Sequence, residues 1–130
     1  MAHQTFPKPT SRPKAKNRTV TKRRQSKRRN SEAVKRYVYE LVDARDRGHD
    51  RVMGGFAGFN LQHHHIVPRS RGGQHETHNI ISVSRHTHDL IHAKRIIVTG
   101  NADRMIYCRE MNSEGKCIGI WSRDMTKAPK

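Results

Sequence analysis

Cysteines, aromatic rings, acidic side chains and long apolar runs are all scarce in this 130-residue sequence, and each scarcity removes a class of protein. The two cysteines, Cys108 and Cys117, cannot build a disulfide framework and form no paired CxxC zinc signature. Both are expected to be ordinary packing residues. No stretch approaches the roughly 18–20 apolar residues of a membrane span, and no apolar signal core stands near the N-terminus. A reducing, cytoplasmic setting without a membrane partner is therefore expected. A hydrophobic fraction of 32% and an aromatic fraction of 5% point to one domain with a small ordered core. Against 11 acidic residues stand 27 Lys and Arg, for a formal net charge of +16. A short chain this basic usually meets a polyanion, most often nucleic acid.

The charge is unevenly spread. Residues 1–36 hold 13 bases and a single acid, Glu32, which is +12 of the total. The run Lys22-Arg23-Arg24-Gln25-Ser26-Lys27-Arg28-Arg29 offers no apolar face, and Pro7, Pro9 and Pro13 precede it. Residues 1–29 are accordingly expected to be a disordered basic arm, with Lys22, Arg23, Arg24, Lys27, Arg28 and Arg29 gripping phosphates in a salt-sensitive way. A solubilising or targeting tail is the plainer reading of the same composition.

Residues 30–130 read as an α+β domain. The spacing predicts a helix from about Ser31 to Arg47, capped by Asn30 or Ser31 and closed by Gly48. Val34, Tyr37, Val38, Leu41 and Val42 give it one apolar stripe for packing. A glycine-rich loop follows (Gly48, Gly54, Gly55, Gly58). Leu61–Val67 reads as a strand ended by Pro68, Arg69–Gly73 as a turn and Asn79–Ser84 as a second strand. His86–Lys94 reads as a short helix with Leu90 and Ile91 turned inward. Arg95–Thr99 is β-branched, and Met105–Arg109 and Cys117–Trp121 flank the turn Asn112-Ser113-Glu114-Gly115, which predicts a small C-terminal sheet anchored by Trp121.

Eight of the ten histidines lie between Gln62 and His92: His63, His64, His65, His75, His78, His86, His88 and His92. Histidine is a common metal ligand and titrates near neutrality, so the clustering invites a catalytic or metal site. His88 and His92, four apart on a helix, present both imidazoles to one side, while His86 faces elsewhere. A third ligand can come from His64 or His65. Neighbouring strand residues point to opposite faces, which argues against both serving one centre unless the strand bends before Pro68.

The segment His64-His65-Ile66-Val67-Pro68-Arg69-Ser70-Arg71-Gly72-Gly73, followed by Asn79, His88 and His92, resembles an HNH endonuclease of the ββα-metal type. It is most similar to the small HNH enzymes of tailed phages, some of them homing endonucleases. The likeness runs from about Arg45 to Thr99, with a motif core over about residues 60–94. It implies a ββα-metal core, which the residue pattern places between a preceding helix and a small C-terminal antiparallel sheet. It implies His64 and His88 as metal ligands, with His92 a further ligand that only some members use. His65 matches the general base, and Asn79 the residue that holds the loop between the strands and helps orient that base. The implied cofactor is one divalent ion, Mg2+ or Mn2+, with Ni2+ and Zn2+ also suited to nitrogen donors.

The implied partner is DNA, which family members hydrolyse to 5′-phosphate and 3′-hydroxyl ends. Cleavage of both strands takes a homodimer or two successive nicks. A phage-encoded enzyme would work in the host-cell cytoplasm. Arg69 and Arg71 are candidate phosphate contacts beside the site. Many relatives carry a structural zinc on two CxxC pairs, but here Asp50, Met53, Ser84 and Thr87 stand at those positions, so no structural zinc is expected. His63, His75, His78 and His86 are expected to be loop or surface residues, with His63 within reach of phosphate. A non-catalytic nucleic-acid-binding module on the same scaffold is the alternative function.

Overall fold

The computed structural model describes the backbone of residues 15–130 and the side chains from Ser31 onward, Phe59 excepted. Pro7, Pro9 and Pro13 thus lie outside the described residues. Two compact units divide the chain, Met1–Ala33 and Val34–Lys130, and the second carries the candidate site.

Helix α1 runs from Ala15 to Asp46. It therefore begins well before Ser31, and the backbone of residues 15–29 is helical where an irregular arm is expected. Local preference accounts for this: no Pro or Gly stands between Pro13 and Gly48, and Arg, Lys, Gln and Ala are good helix formers. At the other end Arg47 and Gly48 take left-handed backbone, with φ of 50° and 77°, and close the helix where the glycine predicts.

Beyond it come β1 (Leu61–His65), β2 (Ile80–Ser84), α2 (Arg85–His92), β3 (Ile96–Asn101), β4 (Met105–Met111) and β5 (Cys117–Asp124). β1 and β2 form one antiparallel pair, with His64 opposite Ile81 and His65 opposite Ile80. β3, β4 and β5 form a second antiparallel sheet in chain order. Each of these six elements lies within a few residues of its predicted place.

β2 is the hub of the packing. Its alternating side chains serve two clusters, as the period of two in a strand requires. Ile81 and Val83 enter the larger core with Val52, Ile96, Val98, Ala102, Ile106, Cys108 and Met125, against which Leu90, Ile91 and Trp121 pack. Ile80 packs with Val38 and Val42 of α1. The Trp121 indole also donates from Nε1 to the Val52 carbonyl at 2.8 Å, which ties β5 to the loop before β1.

Two packing expectations need correction. Of the α1 stripe only Val38 and Val42 are buried; Val34, Tyr37 and Leu41 are 51%, 63% and 42% exposed. A single buried strand covers one row of the helix and leaves the neighbouring row open. Cys108 is buried, but Cys117 is exposed at the start of β5. Among the described residues no helix is long and apolar enough to cross a membrane.

Candidate functional site

The pleat of β1 sorts its three consecutive histidines. His64 turns towards α2, while His63 and His65 turn to the opposite face, towards α1 and the loop between β1 and β2. α2 starts at a true cap: Ser84 Oγ accepts from the Thr87 amide at 3.2 Å. One turn on, His88 and His92 stand on the same side, as their spacing predicts.

His64, His88 and His92 meet there. Their ring centroids lie 5.6 Å (His64–His88), 6.0 Å (His64–His92) and 4.3 Å (His88–His92) apart. One ring nitrogen from each falls within 4.8 Å of the others, and the Nε2 atoms of His88 and His92 are 3.1 Å apart. Nitrogens sharing one ion at about 2.0–2.1 Å stand roughly 3–3.5 Å apart, so small side-chain rotations would suffice. Burial, and then the neighbouring His88, His92 and His65, push the His64 imidazole down to about 4. Burial and His92 also lower His88, against an opposing pull from Asp89. Neutral imidazoles at ordinary pH are what metal ligation requires. The donor set fits a divalent ion.

On the other face, His65 Nε2 lies 2.9 Å from His75 Nδ1. Burial chiefly lowers the pKa of His65, with His75, Arg69, Lys35 and His63 acting in the same direction. His63 stacks on Tyr39 with centroids 4.0 Å apart and meets Asp43 Oδ1 at 2.6 Å. His63 and His75, expected as incidental residues, are therefore structured members of this face; only a fold that brings α1 across β1 reveals it. His86 is exposed, and His78 meets Glu76 at 3.1 Å in an exposed pair.

Asn79 is buried and staples the intervening loop. Its Oδ1 accepts from the Val67 amide at 2.8 Å, and its Nδ2 donates to the carbonyls of Val67 and Gln74, each at 3.1 Å. None of these bonds goes to His65. Arg69 and Arg71 lie exposed on a single 3-10 turn within that loop. Gly73 is required beside it: a Cβ there would lie 1.8 Å from the Val67 carbonyl oxygen. The side chains of Lys22, Arg23, Arg24, Lys27, Arg28 and Arg29 lie outside the described residues.

Two buried carboxylates brace the site. Asp50 Oδ1 accepts from the amides of Val52 and Met53, both at 2.9 Å. Its Oδ2 accepts from the Ser84 amide at 3.1 Å and from the Thr87 hydroxyl. Asp50, Met53, Ser84 and Thr87, the four positions that the resemblance sets against zinc cysteines, thus come together on the Asp50 carboxylate. Asp46 accepts from the Ser82 amide at 2.9 Å and pairs with Arg45, whose guanidinium also donates to the carbonyls of Thr77 and Ile80.

A family model described as HNH endonuclease matches residues 53–94. The matched segment is about a third of the chain and contains His64, His65, Asn79, His88 and His92. No curated protein and no solved structure matches the chain. The HNH segment begins at the Asp50 turn and ends just past α2, so both carboxylate braces come from residues before it.

Proposed function

We propose that this chain is a metal-dependent DNA endonuclease built on a ββα-metal core, with His64, His88 and His92 holding one divalent ion and His65 acting as general base. The observation that carries the reading is the convergence of three imidazoles inside the HNH segment, with the next strand residue, His65, held on the opposite face. The bound ion would supply charge stabilisation at the scissile phosphate and the departing 3′ oxygen. The protein's own residues do the rest. Neutral His65 takes the proton of the attacking water. Asn79 fixes the loop between the strands. Arg69 and Arg71 hold flanking phosphates, and the basic run Lys22–Arg29 supplies a sequence-independent grip.

An all-nitrogen donor set suits Mn2+, Ni2+ or Zn2+ better than Mg2+, which prefers oxygen ligands. The test is plasmid relaxation with each ion in turn, comparing wild type with His65→Ala and His88→Ala. Cleavage by wild type that both substitutions abolish supports the reading. Equal cleavage by His65→Ala overturns the base assignment, and no wild-type cleavage with any ion leaves the non-catalytic binding module.

A further inference from the structure

A histidine base works through one ring nitrogen, and the other decides whether that nitrogen carries a lone pair. The 2.9 Å separation of His65 Nε2 from His75 Nδ1 leaves one proton to share between the two atoms. If the proton belongs to His65 Nε2, the Nδ1 of His65 is a free acceptor. If it belongs to His75, neutral His65 carries its own proton on Nδ1 and cannot accept another there.

His75 is in turn held on several sides. Its ring meets Tyr39 edge-on with centroids 6.3 Å apart, and Tyr39 is fixed by the His63 stack. The residue before it, Gln74, is tied by its carbonyl to Asn79 Nδ2. Gly73 donates to the Pro68 carbonyl at 3.0 Å and has no room for a side chain.

We propose that His75 is the positioning residue of the site: its Nδ1 accepts the Nε2 proton of His65, which fixes the His65 tautomer and leaves Nδ1 of His65 to face the attacking water. Asn79 then acts on the base at one remove, by holding the loop that carries His75. This inference rests on the reading of His65 as general base.

The test uses the full chain. Ring-nitrogen NMR of the metal-free protein near neutral pH reports where the His65 proton sits, independently of activity. The expected spectrum has His65 protonated at Nε2, and His75→Leu, which keeps volume but removes the acceptor, is expected to lose that preference. In cleavage assays His75→Leu should lower kcat on the order of 100-fold, with KM and metal affinity unchanged. His75→Gln, whose amide oxygen can still accept, should recover at least about tenfold of that loss. His65 protonated at Nδ1 in wild type overturns the proposal, even if His75→Leu fails to fold. Wild-type kcat in a folded His75→Leu overturns it while leaving the nuclease reading intact. A wild-type chain that cleaves no DNA with any divalent ion overturns both.

Discussion

Replacing Asp50 by asparagine keeps the shape of the side chain and removes its charge, and the structure allows the consequence to be worked out. The carboxylate accepts four hydrogen bonds, from the amides of Val52, Met53 and Ser84 and from the Thr87 hydroxyl. The amide oxygen of Asn can keep the two from Val52 and Met53, but as neutral bonds of about half the strength. Its NH2 group would face the Ser84 amide, donor against donor, while the Thr87 hydroxyl can turn to accept. One buried N–H without a partner costs about 1–3 kcal/mol, and the two weakened bonds add roughly 1 kcal/mol. Relief from burying a charge offsets part of this, leaving a loss of about 2–3 kcal/mol. For a domain of about 100 residues that lowers Tm by on the order of 10–15 °C. Thermal unfolding followed by circular dichroism measures it. Asp50→Ala, which strands all four donors, should lose more. A Tm for Asp50→Asn within about 2 °C of wild type would refute the view that this carboxylate ties the turn before β1 to the start of α2.

The His64 imidazole is held down to about 4 against an ordinary value of 6.5, so between those values the unfolded chain binds more protons than the folded one. The stability of the metal-free protein should therefore be full above about pH 6.5 and fall as pH drops towards 4, by on the order of 3 kcal/mol. Urea titrations at stepped pH test this, and His64→Gln showing the same slope as wild type would count against it. His88→Ala should weaken binding of Ni2+ or Zn2+ by at least about 100-fold while sparing DNA affinity, because a ligand is lost rather than an outer partner; calorimetry with unchanged metal affinity would contradict the ligand set. Removing residues 1–29 should flatten the salt dependence of DNA binding, by up to about 5 in the log–log slope if Lys22, Arg23, Arg24, Lys27, Arg28 and Arg29 all meet phosphates. An unaltered slope would assign the grip elsewhere.

Features that depend on nearby residues were legible in the sequence. Gly48 marked the end of α1, the glycine-containing turn placed the β4–β5 hairpin, and the four-residue spacing set His88 beside His92. The alternation of β1 also put His64 and His65 on opposite faces, and no bend brought them together. What escaped were partnerships made across the chain. His75 meets a residue ten positions away and His63 one twenty positions away, and nothing local in either segment announces it. Nothing local in the sequence marks Asp46, at a helix end, or Asp50, in a loop, as buried acceptors. They are buried because backbone amides of β2 need acceptors, a demand that only tertiary structure creates. The exposed row Val34, Tyr37 and Leu41 escaped for the converse reason: periodicity reports an apolar face, but not how wide a surface is available to cover it.

Three histidines in succession on β1 also make the strand chemically redundant. If β1 slid by one step against β2, His63 or His65 would turn to the α2 side and His64 to the α1 side, so each face would still present an imidazole. The inventory would survive, but every ring would sit about 3.3 Å along the strand from its present place, too far to keep His64 beside His88 and His92. Side-chain identity therefore cannot police the register of this strand. That task falls to the clamps just beyond the paired residues: the Ile66 amide on the Asn79 carbonyl and the Asn79 side chain on Val67. The meeting of His64 with His88 and His92 thus depends on residues outside the cluster.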